Sequence, residues 1–207
     1  GDVAISGANL GNQMQTLVMS CSYGLASGGG VLIAQYWGKK DYRTIERVMG
    51  ITFRLSFAFA LLFALAAMFC PEILMNIFSG DEALLEDGVH YLRAVSLSFL
   101  FMSVSSMYLN MMRSMERVML STITFLISFV VNVALNATFI FGLFGAPKLG
   151  VVGVALATSA ARFVEMVICL VDSARSKTVK LRLKYIFEHN PELTKEFLRY
   201  SLPATGN

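Results

Sequence analysis

Charge is scarce in this chain, with Asp, Glu, Lys and Arg together at 15% of its 207 residues. That is little for a surface that must face water on all sides. Thiol and metal chemistry is poorly provided for as well. The three cysteines, Cys21, Cys70 and Cys169, lie far apart with no CxxC or metal spacing, and we read them as packing residues. There is no HExxH, no intramembrane aspartate pair and no histidine deep in an apolar run, His90 standing only at the mouth of one. An intramembrane hydrolase would therefore lack its nucleophile, base or metal set. Gly28-Gly29-Gly30 has neither the preceding strand nor the following Lys-Ser/Thr of a phosphate loop, and reads as close packing or a hinge. All four prolines, Pro71, Pro147, Pro191 and Pro203, fall outside the long apolar runs, so no broken helix is expected. The net charge of +3 is small and its basic residues flank the apolar runs, which topology explains and a nucleic-acid partner does not. Asn136-Ala137-Thr138 fits a glycosylation pattern but lies inside an apolar run, which excludes that use.

What is abundant is apolar sequence: 56% hydrophobic residues and a mean hydropathy of +0.62. It is divided into runs of about the ~20 residues that a bilayer core requires. The reading is all-α: a polytopic membrane helical bundle of five transmembrane helices followed by a C-terminal cytoplasmic linker helix. The spans are expected over residues 9–35, 45–69, 89–112, 118–145 and 151–174, with a surface helix over 191–200. Basic segments follow the first, third and fifth spans, and acidic or near-neutral ones follow the second and fourth, which places the former in the cytoplasm. The second span, mostly Phe, Leu and Ala, is expected to face lipid and to end at Pro71; Ser79 and Glu82 have the spacing of a capping box for the third. An odd number of spans, a first residue that is not Met and an abrupt end at Asn207 suggest a piece of a longer protein. A helix is expected before Gly1 and another from about Pro203.

The fourth span contains the feature that demands explanation. Thr124, Ser128, Asn132 and Asn136 recur at every fourth residue and draw one polar line down one helix face. Amides in hydrocarbon need partners, so that line must face other helices or a wet cavity. The third span offers Ser96, Ser103 and Asn110, seven apart with Ser106 on the same side, as a line to meet it. Ser103, Ser106, Asn110 and Ser128 are thus candidate cavity-lining residues, and Met102, Met107, Met111 and Met112 read as packing. In the first span it is small residues, not polar ones, that look organised: Gly7 with Gly11, and Gly24 with Gly28. The fifth has Gly153, Ala157 and Ala161 four apart, then Arg162 and Glu165 three apart, an intramembrane ion pair that reads as a brace or, alternatively, a proton or substrate relay.

The stretch Gly28-Gly-Gly-Val-Leu-Ile-Ala-Gln-Tyr-Trp-Gly-Lys-Lys-Asp41 is followed by Asn132 and Asn136, then by Ile140-Phe-Gly-Leu-Phe-Gly-Ala-Pro-Lys-Leu-Gly-Val-Val-Gly-Val-Ala-Leu-Ala-Thr158. Together they resemble the multidrug and toxic compound extrusion (MATE) transporters. The resemblance implies a bacterial inner-membrane protein of twelve helices in two six-helix lobes, exporting small-molecule organic cations in exchange for Na⁺ or H⁺. No cofactor beyond that coupling ion is implied, and no metal beyond an Na⁺ site. Residues 1–174 would be helices two to six of the N-terminal lobe, and 175–207 the cytoplasmic connection and the start of the next helix. The partners would be the bilayer, the preceding first helix and the C-terminal lobe. A family cation site combines an aspartate on the first helix, an Asn and an Asp four apart on the fifth and a Thr on the sixth. By this resemblance Asn132, Asn136 and Thr158 are the cation-binding candidates, with Asn136 standing where the Asp would be. An amide oxygen ligates Na⁺ but exchanges no proton near neutral pH. Two alternatives remain: a lipid-linked oligosaccharide flippase of the same superfamily, which would show a strongly cationic cavity, and a structural or receptor-like membrane protein.

Overall fold

The computed structural model describes residues 2–78 and 82–205, with side chains from residue 5 onward except 7, 8, 10, 11, 78–84 and 204–205. The Ser79/Glu82 capping box lies outside the described residues, as do the surroundings of Gly7 and Gly11 within α1. Among the described residues the chain is all-helical: α1 (Asp2–Gly38), α2 (Tyr42–Phe69), α3 (Pro71–Phe78), α4 (Glu82–Ser114), α5 (Val118–Phe141), α6 (Gly150–Arg175), α7 (Leu183–Ile186) and α8 (Pro191–Thr205). Five of them contain stretches long and apolar enough to cross a membrane: Asn12–Gly38, Tyr42–Phe69, Leu85–Ser114, Val118–Phe141 and Gly150–Arg175.

Several boundaries differ from expectation, each for a local reason. Pro71 does more than end α2. It occupies the first position of α3, where its missing N–H costs nothing, and Cys70 closes α2 by donating to the Ala66 carbonyl at 2.9 Å. The fourth span stops at Phe141 because Gly142 turns left-handed (φ 68°) and its amide caps the Thr138 carbonyl; residues up to Gly145 then form a short 3₁₀ turn. At the C-terminal side α8 runs through Pro203 to Thr205 instead of ending at residue 200. Asp41 starts α2 cleanly, accepting from the Thr44 amide at 3.2 Å and the Thr44 hydroxyl at 2.6 Å. Those bonds hold its carboxyl below the usual range.

Packing is centred on α4, which lies against α1, α2 and α6, while α5 is applied to the outside against α6. Tyr91, Leu92, Val95, Phe99, Met102 and Met107 of α4 are buried, so its methionines are core residues. The second span, expected to face lipid, is exposed only on one face. Of the most apolar stretch of α2, 44% is buried, against 11% for α5. The reason is that Ser56, Ala60, Ala64 and Ala67 form a small buried stripe that lets α2 lie close to the bundle, so only the opposite face, with Leu61, Leu62 and Leu65, is exposed.

Successive residues of a helix point about 100° apart, and the glycine triplet of α1 uses this to touch three helices in turn. A Cβ at Gly28 would sit 2.5 Å from Ser201 Cα of α8, one at Gly29 2.5 Å from Thr52 Oγ1 of α2, and one at Gly30 2.8 Å from Asn110 Oδ1 of α4. Close packing, not phosphate binding, explains the triplet. The segment after α6 is likewise tied down. Buried Glu46 of α2 accepts from the Lys180 amide at 3.1 Å and from Arg182 Nε at 2.7 Å, and Ser173 Oγ accepts from the Leu181 amide at 2.9 Å. Arg54 donates to the Glu188 carbonyl at 3.1 Å, and Arg47 lies 3.4 Å from the Glu188 carboxylate.

Candidate functional site between α1, α5 and α6

The polar line of α5 divides into two halves. Thr124 is fully buried, and its Oγ1 has no hydrogen-bond partner among the described residues. Ser128 donates across to the Ala161 carbonyl of α6 at 3.4 Å. One and two turns further, Asn136 Nδ2 donates to Asn132 Oδ1 at 3.0 Å, which leaves Asn136 Oδ1 buried with no partner among the described residues. An unsatisfied amide oxygen beside a second amide is a demand for a cation or a donor.

Beside this line is a cavity of about 350 Å³. Ser128 and Asn132 line it from α5, Thr158, Arg162 and Glu165 from α6, and Asn12, Gln15 and Thr16 from α1. Asn136 lies one turn beyond and reaches it only through its bond to Asn132. Arg162 Nη1 donates to both oxygens of Glu165, at 3.0 and 3.1 Å, and Ser105 Oγ of α4 donates to Glu165 Oε2 at 3.2 Å. The Glu165 side chain is 7% exposed and that of Arg162 26%, so the carboxylate is the buried member and the guanidinium is its link to the cavity. Charge assistance and short reach make this pair the polar anchor of the site.

A smaller adjoining cavity, about 140 Å³, shares Arg162, Glu165 and Phe125 with the first and adds Ser106. There Arg113 of α4 donates to the Tyr23 hydroxyl of α1 at 2.7 Å. The remaining candidates on α4 face elsewhere. Ser103 is buried in the bundle with no partner for its hydroxyl among the described residues, and Asn110 stands against Gly30 of α1. Ser103 and Asn110 are therefore directed at the bundle interior and at α1, while Ser106 of the same line borders the smaller cavity beside α5. What the sequence reading missed is α1. Asn12, Thr16 and Ser20 recur every fourth residue, the very signal used for α5, and two hydroxyls follow this register down the helix: Thr16 to the Asn12 carbonyl and Ser20 to the Thr16 carbonyl, each at 2.9 Å. Tyr91 of α4 donates to Asn12 Oδ1 at 2.7 Å and fixes that side chain at the cavity edge.

At the basic end of the bundle Arg117 makes a two-pronged contact with Asp172, at 2.8 and 3.1 Å, and Tyr108 donates to the same carboxylate at 2.6 Å. The hydrogen bonds to Asp172 raise the Arg117 guanidinium further above its ordinary value. This cluster joins α4, the start of α5 and the end of α6, and stands apart from the cavity.

Residues 1–138 match the profile of the family described as MatE. The chain is 29% identical over 209 residues to the uncharacterized transporter YisQ of Bacillus subtilis, covering 99% of this chain and 45% of that protein. It is 27% identical to the probable multidrug resistance protein YoeA of the same organism, covering 92% and 42%, and 27% identical to the probable multidrug resistance protein NorM of Thermotoga maritima, covering 97% and 43%. The chain thus spans a little under half the length of these relatives. Among solved structures, one of a MATE protein in the bent conformation superposes with a TM-score of 0.87 at 19% identity, covering 99% of this chain and 45% of that one. An outward-facing multidrug resistance MATE transporter of the MOP superfamily gives the same TM-score and coverage, also at 19% identity. At that identity the likeness establishes the fold.

Proposed function

Because the chain belongs to the MatE family of multi-pass membrane transporters, we propose that it is part of the N-terminal lobe of a secondary active efflux transporter. Organic cations or other xenobiotics are its cargo, exported in antiport with Na⁺ or H⁺. The observation that carries this reading is the cavity where Asn132 of α5, Thr158 of α6 and the Arg162–Glu165 pair converge beside the polar flank of α1. Cation binding falls to the oxygens of Asn132, Asn136 and Thr158, which are neutral, hard ligands suited to Na⁺. The free Asn136 Oδ1 is the first of them, and an ion drawn to it competes with the bond between the two amides. Binding drives export when the ion has different affinities for the inward- and outward-open states. The flippase alternative requires a cationic cavity. Arg162 is neutralised by Glu165 and Arg54 is engaged with the Glu188 carbonyl, which disfavours it, although Arg113 lines the adjoining cavity with the Tyr23 hydroxyl as its partner.

Counterflow tests the reading. Proteoliposomes of the intact transporter preloaded with an unlabelled organic cation should accumulate a fluorescent one above equilibrium, and should not do so when loaded with buffer. Equal uptake in the two preparations would point to a structural or receptor-like protein.

A further inference from the structure

A second, larger cavity lies away from the proposed transport site, at the basic end of the bundle. It measures about 730 Å³ and opens between α2, α4, α6 and the segment that crosses their ends. Its walls are apolar: Phe53 and Phe57 of α2, stacked at 5.5 Å, face Met166 and Leu170 of α6, with Val104 of α4 among the lining residues. Its rim is basic, formed by Lys180, Arg182 and Lys184. Arg182 is occupied by Glu46, but neither lysine ammonium makes an ion pair among the described residues. Beside the rim Leu183 is 74% exposed and Phe187 79% exposed, one turn apart on the same side. Lys184 Nζ stands 5.7 Å from the centre of the Tyr185 ring, and exposed apolar side chains beside lysines that have no carboxylate partner among the described residues are costly in water and favourable at a membrane interface whose lipids are anionic.

We propose that this groove holds an anionic phospholipid of the inner leaflet, one acyl chain lying between the Phe53/Phe57 wall and Met166/Leu170, and its phosphate at Lys180 and Lys184. Charge complementarity selects the occupant. The basic rim repels organic cations, the proposed cargo, and the apolar walls offer a free anion nothing. Lipid in this position packs α2 and α6 together below the Glu46 latch and supports the crossing segment from beneath. The inference rests on the groove and its rim and stands whether or not the cavity between α1, α5 and α6 binds cations.

Native mass spectrometry of the intact protein, titrated with equal concentrations of phosphatidylglycerol and phosphatidylcholine of identical chains, tests the site. Phosphatidylglycerol should be retained preferentially. The double substitution Lys180→Gln/Lys184→Gln should weaken its retention by on the order of tenfold or more, to the level of phosphatidylcholine. Phe57→Ala should weaken both lipids alike, and Lys148→Gln at the opposite end of the bundle should change neither. Equal retention of the two lipids by the unsubstituted protein would overturn the proposal. So would an unchanged preference in the double variant, an equal loss in Lys148→Gln, or displacement of phosphatidylglycerol by excess inorganic phosphate.

Discussion

Replacing Glu165 by Leu leaves Arg162 beside an apolar side chain, while the Ser105 hydroxyl keeps the Met102 carbonyl as its acceptor. Losing one partner of a buried pair is costly because the other charge stays desolvated. Arg162 keeps some exposure, so we expect about 2–3 kcal/mol, below the range for fully buried pairs. The thermal unfolding midpoint in detergent should fall accordingly, and the double substitution Arg162→Leu/Glu165→Leu should recover most of it. A double variant no more stable than the single one would show that the pair is not the anchor described. At this scale the sequence was readable where a chemical conflict was visible in it. A charged pair three residues apart in an apolar run and amides four apart in another had to find partners, and the pair and the Asn132–Asn136 bond are found. The orphaned oxygen of Asn136 was not readable, because it depends on which way an amide points.

Helix–helix contacts give the next set of expectations. A Cβ on Gly50 would meet the Tyr185 carbonyl of α7 at 2.5 Å, and main chain cannot move aside as a side-chain tip can. Gly50→Ala should therefore destabilise by about 1–3 kcal/mol, as overpacking does. Gly38→Ala, where nothing lies within 4 Å, should be neutral or stabilise by roughly 0.5–1 kcal/mol through helix propensity. The two unfolding midpoints, measured side by side, check this; equal shifts would mean that α7 does not press on α2. The existence of the five long helices was legible because hydropathy and length suffice for it. Which faces they bury was less so. The Ala/Ser stripe of α2 hides among Phe and Leu, so composition showed its exposed face and not its packed one. On α1 the glycines drew attention away from Asn12, Thr16 and Ser20, although both patterns have the same period.

For the whole molecule the exposure of α5 is the decisive fact. Phe125, Phe129, Val130 and Val133 lie open on one side, and Asn12 and Thr16 of α1 are exposed on the flank of the same cavity. A half-open cavity with polar groups on three helices fits the proposed reading as one lobe's share of a transport path. The gathering of lysine and arginine at one end of the bundle was readable from the sequence, and there Arg117, Arg182 and Arg54 take part in clamping the helices together. The shape of the cavity was not, since it depends on which helices lie side by side, and that is set by contacts between residues far apart in the chain. On the proposed reading cation coupling lies at Asn132, and gradient-driven efflux of an organic cation from proteoliposomes of the intact transporter measures it. Asn132→Ala should abolish efflux driven by an imposed Na⁺ or proton gradient while expression and reconstitution stay normal. Unchanged efflux would contradict the account and remove the α5 line from the mechanism.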